Sequence, residues 1–250
     1  YLYMNKKNNN KGPDFLIIGV QKGGTVSAVV NLNKHPDVFV HTEIHYFDNL
    51  WNIMPKQWYY DMFMKSNKLV KGEKNPELIY IDDCAKRIKK VCPKTKFILL
   101  LRDPIKRAYS GWNMNVNEKK ETRSFKECIE NNIATANLDE PRTPYNAIYQ
   151  YVQRGFYMDQ IERFMKVFPN RDNILIIISE LFKKNPQFYY EQIFKFLGVR
   201  SVTFPVEESH IGSYSEEIDS DSKKILKKIY KKHNQRLFDF LGYSVPEWNN

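Results

Sequence analysis

An α/β fold, with a central, mostly parallel sheet and helices on both faces, is predicted by the way apolar residues are grouped along the chain. Short apolar runs, among them FLIIG (Phe15 to Gly19), FILLL (Phe97 to Leu101) and ILIII (Ile174 to Ile178), alternate with longer stretches of helical periodicity. These runs are apolar throughout rather than alternating, as in strands covered on both faces. The first of them passes through a glycine-containing loop into a helical stretch, and in such sheets ligands gather at the carboxyl ends of the strands. With 250 residues, 42% of them hydrophobic and 14% aromatic, the chain can bury one substantial core. A flexible segment over 1–12 followed by a single domain over 13–250 is expected.

In order, Asp14 to Gly19 predicts a strand and Ser27 to Leu32 the helix that follows its loop. Val38 to Val40 is a further extended piece. An aromatic-rich loop and helix follow around Tyr46, Phe47, Trp51, Trp58, Tyr59 and Tyr60, and Lys68 to Gly72 predicts another short strand. Pro76 and Glu77 open a predicted helix toward Val91, with Pro at its first turn and an acid at the positive end of its dipole; Pro93 stops it. Lys96 to Leu101 reads as a central strand ending at Arg102, and a helix after Pro104 carries Arg107 and Ser110. The polar stretch from Asn115 to Arg123 predicts a mobile surface loop. Tyr149 to Phe168 has helical periodicity, Ile174 to Ile178 is a buried strand, and helices are predicted at Asn185 to Leu197 and Asp219 to Leu241, the last capped by Asp219 or Ser220.

A formal charge of +10 favours an anionic partner, such as a nucleotide, an acidic polysaccharide, a nucleic acid or a membrane surface, without choosing among them. The lysines from Lys223 to Lys232 read as one solvated helix face. Cys84, Cys92 and Cys128 are an odd number with no CxxC pair, so no metal site is expected; one disulfide is left open, but with Cys84 within a predicted helix and Cys92 just past its end, buried free thiols are expected. No run of about eighteen apolar residues occurs, and Tyr1 to Lys11 lacks a signal-peptide pattern. A soluble stretch without membrane contact is expected. Localisation is left open, because a chain beginning at Tyr1 rather than Met leaves room for an upstream anchor.

The loop Gly19-Val20-Gln21-Lys22-Gly23-Gly24-Thr25 lies between a predicted strand and a predicted helix. Backbone N–H groups and the helix dipole make such a place an anion site, which points to a three-layer P-loop-type fold. It departs from the pattern of ATPases and GTPases, G-x-x-x-x-G-K-[ST], in which Lys follows the last Gly to reach the phosphates. Here Thr25 takes that position, Lys22 precedes the glycines, and the strand ILLL ends in Arg102 rather than a magnesium-binding Asp. Both departures suit a nucleotide with one 5′-phosphate and a separate anionic group elsewhere.

Five segments in this order resemble the sulfotransferase family, in particular the domain of heparan-sulfate N- and O-sulfotransferases and their bacterial relatives. They are FLIIGVQKGGT (Phe15 to Thr25), HPDVFVHTEIHYFD (His35 to Asp48), GEKNPELI (Gly72 to Ile79), FILLLRDPIKRAYSGW (Phe97 to Trp112) and RGFYMDQIERFMKVFPNRDNILIIISE (Arg154 to Glu180). The resemblance implies a cosubstrate, 3′-phosphoadenosine 5′-phosphosulfate (PAPS), released as adenosine 3′,5′-bisphosphate, with no metal. It implies that Lys22, Gly23, Gly24 and Thr25 hold the 5′-phosphosulfate with Val26 beside them, and that Arg102 and Ser110 hold the 3′-phosphate. Arg suits that task, being a planar and permanently charged fork. Glu43 in TEIHYFD takes the family position of the general base, since an acceptor hydroxyl is a poor nucleophile until a carboxylate removes its proton. His45, on the same side of an extended segment by strand alternation, is expected to orient the acceptor or act as auxiliary acid and base. Lys74 in EKNP takes the position of a second active-site lysine near the transferring sulfonate, and Lys22 leads for stabilising the departing phosphate oxygen.

Arg107 is expected to support rather than to touch the nucleotide. The contacts of Arg154 to Tyr157 are left open, and Trp248 is expected to pack. The chain departs from the family pattern at Asn75, where Thr or Ser is frequent, and at Thr42, where Lys is frequent. His210 to Glu217 (HIGSYSEE) offers no match to the late basic glycine loop that closes over the nucleotide in many relatives. The acceptor implied first is a glycan hydroxyl or amine, with a protein tyrosine, a lipid or a small hydroxylated molecule left open and no nucleic acid expected. A P-loop small-molecule kinase and a noncatalytic polyanion-binding module are the alternatives.

Overall fold

The computed structural model describes residues 12–135, 140–207 and 217–248. Residues 1–11, and with them nearly all of the expected N-terminal segment, lie outside the described residues, as does HIGSYSEE up to its last residue. Strands β1 (Phe15–Gly19), β2 (Val38–Thr42), β3 (Val70–Lys74), β4 (Lys96–Leu101) and β5 (Ile174–Ile178) form one sheet in the order β2-β3-β1-β4-β5. Every neighbouring pair is parallel, so the sheet is parallel throughout. Around it lie helices α1 (Thr25–Leu32), α2 (Lys56–Met64), α3 (Cys84–Val91), α4 (Pro104–Asn117), α5 (Phe125–Ala134), α6 (Tyr157–Met165), α7 (Ser179–Lys184), α8 (Pro186–Leu197) and α9 (Ser220–Leu241).

The apolar runs form strands covered on both faces, β1 and β4 inside the sheet and β5 at its edge. Leu16, Ile18, Phe97 and Leu99 pack with Ile88 of α3 and Phe164 of α6, whereas Phe15, Ile17, Ile98 and Leu100 pack with Leu32 of α1 and Phe194 of α8. Successive side chains of a strand point to opposite faces, so an unbroken apolar run serves two cores at once. Burying each such Leu or Ile stabilises the fold by roughly 1.5–3 kcal/mol. Cys84, Cys92 and Cys128 are buried and free. No described helix is long and apolar enough to cross a membrane.

Several predicted elements shift. β3 runs to Lys74 rather than stopping at Gly72, because its pairing with β2 continues through Thr42 and Lys74. A polar sequence such as KGEK carries no strand signal of its own. The helix predicted from Pro76 begins only at Cys84. Before it, the carbonyls of Ile79 and Tyr80 accept from Arg163 and the Glu77 carboxylate receives both terminal nitrogens of Arg154, each at 2.9 Å, so tertiary arginines take up what a helix would have used. The periodic stretch from Tyr149 breaks into a 3₁₀ turn at Gln153–Gly155 and then α6. α5 and α7 were not among the predicted helices. The first of these carried a readable start, since Ser124 and Glu127 form a capping box. The expected surface loop from Asn115 is helical to Asn117, and both Asn115 and Glu121 are buried, the latter accepting from Arg123 and Tyr151.

Candidate active site

The loop after β1 is shaped by close backbone contacts. Val20 N–H donates to the Leu100 carbonyl at 2.8 Å and Gly23 N–H to the Val20 carbonyl at 2.9 Å. A side chain at position 23 would put its Cβ 2.6 Å from the Leu100 carbonyl oxygen and 2.9 Å from that of Val20. Because both obstacles are backbone, glycine is required there. Gly24, which precedes α1, is left-handed at φ 85°, again a glycine conformation. Gly23→Ala is therefore expected to cost about 1–3 kcal/mol, read as a melting temperature lowered by several degrees. An unchanged melting temperature would show that the loop moves aside.

Lys22, Gly23, Gly24, Thr25, Val26, Arg102 and Ser110 all line one cavity of about 400 Å³, a size in the usual range for small-molecule sites. Arg102 follows β4 and donates from Nη1 to the Lys22 carbonyl at 3.1 Å, while its own carbonyl accepts from the Tyr157 hydroxyl at 2.6 Å. Asp103 caps α4, the helix that carries Ser110, by accepting from Ile105 N–H at 2.8 Å. Lys106 and Lys183 add positive charge to the cavity and Phe182 an aromatic face. Its two carboxylates are turned to other partners: Glu180 accepts from Asp103 N–H and Trp248 Nε1–H, both at 3.0 Å, and Glu207 pairs with Lys34. Phe182 and Lys183 were missed by sequence reasoning. They lie on α7, directly after the carboxyl end of β5, which the rule for open parallel sheets singles out.

A second cluster stands where β2 and β3 end. Glu43 and His45 do not continue an extended strand, as alternation predicted. Both are left-handed, with φ 47° and 57°, and Lys22 shares this conformation at 67°. Of the four such non-glycine residues described, three thus belong to the predicted site. Each costs about 1–3 kcal/mol, and such strain gathers where surrounding contacts hold a functional geometry. Glu43 N–H donates to the Lys74 carbonyl at 2.7 Å, and the Lys74 ammonium pairs with the Glu43 carboxylate. Lys74 is 4% exposed and Glu43 43%, so a buried cation presents a carboxylate to solvent.

His45 Nδ1 lies 2.8 Å from Asp48 Oδ2, which also accepts from Asn75 Nδ2 at 3.2 Å. The hydrogen bond to Asp48 raises the His45 pKa above its ordinary value. Burial alone would raise the Asp48 carboxyl, but the bonds from His45 and Asn75 bring it below its usual range. Asn75, the departure from the family pattern, is thus buried in service of Asp48. Glu43, His45 and Lys74 are not among the residues lining the cavity. Strand order joins the two groups, since β3 pairs with β1, whose end is the loop, and Asn75 N–H donates to the Ile17 carbonyl at 3.0 Å. Arg107 is buried and donates to the Tyr151 carbonyl, Tyr157 belongs to the core, and Trp248 packs against Tyr157 and Phe238.

The family model described as "Sulfotransferase domain" matches residues 12–240. The bifunctional heparan sulfate N-deacetylase/N-sulfotransferase 3 of Mus musculus is 26% identical over 286 residues, covering 99% of this chain and 32% of that protein. The heparan sulfate glucosamine 3-O-sulfotransferase 3B1 of Mus musculus is 29% identical over 192 residues, covering 76% of this chain and 47% of that protein. The chain thus spans a third to a half of the length of these curated relatives. The crystal structure of a sulfotransferase from Alicyclobacillus acidocaldarius has the same fold, with a TM-score of 0.80 at 24% identity over 95% of this chain and 99% of that one.

Proposed function

Since the chain belongs to the sulfotransferase domain family, we propose that it transfers a sulfonate group from PAPS to a hydroxyl or amine of a carbohydrate. The observation that carries this reading is the cavity that unites the Lys22–Val26 loop with Arg102 and Ser110, at the end of the strand beside the Glu43–Lys74 pair. The loop N–H groups at the start of α1 suit the 5′-phosphosulfate. Arg102, with Lys106 near it, suits the 3′-phosphate, and Phe182 offers a stacking face for the adenine. These residues fit a nucleotide with two separated anionic ends better than a triphosphate, which needs Lys directly after the last glycine.

Glu43 takes the proton of the acceptor as the new S–O or S–N bond forms, and adenosine 3′,5′-bisphosphate leaves from the loop. Lys22 stabilises the negative charge that gathers on the departing phosphate oxygen, and Lys74 steadies the sulfonate oxygens while orienting Glu43. His45, held by Asp48, orients the acceptor. A transferring sulfonyl group carries less charge than the end of a triphosphate, so lysines rather than a metal serve this reading. The carbohydrate acceptor is supported by the names of the relatives, which act on heparan sulfate, and by a formal charge of +10.

Calorimetric titration with adenosine 3′,5′-bisphosphate, in the presence of a chelator, tests the cosubstrate site. Wild type is expected to bind. Arg102→Ala is expected to weaken binding about ten- to a hundredfold, the size of a lost charge-assisted hydrogen bond. Folded wild-type protein that does not bind would overturn the reading.

A further inference from the structure

Glu73 has no part in the reaction as described, yet no accessible surface remains to it on β3. Its Oε2 accepts from the Tyr59 hydroxyl of α2 at 2.7 Å and its Oε1 from the Ile44 backbone N–H at 3.1 Å. Both partners are uncharged. A carboxylate kept in the core by neutral donors is costly, and a core that needed only shape would accept a glutamine or an apolar residue there. What it grips is the strained turn. Ile44 stands between the two left-handed residues Glu43 and His45, and the neighbouring Glu43 N–H ends on the Lys74 carbonyl. Successive amides of the turn are thus received by successive residues of β3.

We propose that Glu73 is a positioning residue whose ionised carboxylate clamps the Ile44 N–H and thereby keeps Glu43 against Lys74 and His45 against Asp48. This rests on the transfer reading above. The titratable groups that face Glu73 are His45 and Asp48 from the turn, Tyr59 from α2 and Cys92 beyond α3. Burial raises its pKa to about 7, helped by Asp48 and opposed by Tyr59, Ile44 and His45. Between the ordinary carboxylate range and about 7, the folded chain keeps a proton that the unfolded chain has released. The contribution of Glu73 to stability therefore falls as pH rises across that window and stays low above it. The charge that grips the turn is one the fold bears at a loss.

Glu73→Gln keeps the shape and an acceptor for Ile44 but removes the charge. With PAPS and de-sulfated heparan sulfate as substrates, kcat is expected to fall about ten- to a hundredfold while KM for PAPS stays within about twofold. The melting temperature of the variant should gain on wild type as pH rises from about 5.5 to about 8.5. Tyr59→Phe, which removes one donor and leaves the charge, should lose less activity. Wild-type kcat in Glu73→Gln, or melting temperatures that run parallel with pH, would overturn the proposal. A wild type that binds adenosine 3′,5′-bisphosphate but transfers to no acceptor would sink the transfer reading instead. The melting comparison alone then decides, with parallel curves counting against the clamp and diverging ones for it.

Discussion

Glu43→Gln is expected to lower the rate of sulfonate transfer by about 10²–10⁴-fold, the range over which a positioned general base acts, while leaving the affinity for adenosine 3′,5′-bisphosphate unchanged. The substitution is close to isosteric. Its amide oxygen can still accept from Lys74, so the turn that carries it is kept and the proton acceptor alone is lost. Glu43 is outside the cavity lining, which is why binding of the product nucleotide should not register the change. Single-turnover transfer and calorimetry on the same preparation separate the two effects. A loss smaller than about tenfold would move the role of base to His45. Its bond to Asp48 raises the imidazole pKa, so activity carried by the neutral ring would then rise with pH through a value above the ordinary one for histidine.

Lys22→Ala is expected to lower kcat by about 10²–10³-fold, comparable to removing one group that stabilises developing charge. Binding of adenosine 3′,5′-bisphosphate should weaken much less, because the loop N–H groups and Arg102 remain and charge on the departing oxygen grows only as the bond breaks. The Lys22 carbonyl accepts from Arg102 through the backbone, so the alanine variant keeps that contact and the loop its course. Lys22→Arg should not restore the rate, since a broad planar fork does not replace a compact ammonium at the end of a left-handed residue. Loss of rate and of binding in equal measure would show that Lys22 holds the nucleotide without favouring the transition state.

The parts of the fold legible in the sequence were those with local physics behind them. Continuous apolar runs marked β1, β4 and β5 because a strand covered on both faces must be apolar on both. Asp219 and Asn185 marked helix starts because capping is settled within one turn. β3 was misplaced because Gly72, Glu73 and Lys74 are strand residues only through their pairing with β2 and β1. Pro76 and Glu77 carry a local helix-start signal, but the arginines that claim this segment, Arg154 and Arg163, come from far along the chain.

The candidate site divides in the same way. Lys22 to Val26, Arg102 and Ser110 could be named from their order along a strand, a loop and a helix, and Glu43, His45 and Lys74 from the resemblance those segments carry. Asp48 and Glu73 could not, since nothing local sets an acid three residues past a histidine, or one inside a polar strand, apart from any surface residue, whereas Phe182 and Lys183 follow a strand end that the sequence does mark. Sequence by itself determined the alternation of covered strands with helices and the glycine loop that follows the first strand, because hydrophobic burial and glycine geometry act over a few residues. Only the tertiary structure decided that Glu43 is paired to a buried lysine and His45 to a buried aspartate on a turn with two left-handed residues, because those conformations persist only under contacts that β3 and α2 supply from elsewhere in the chain.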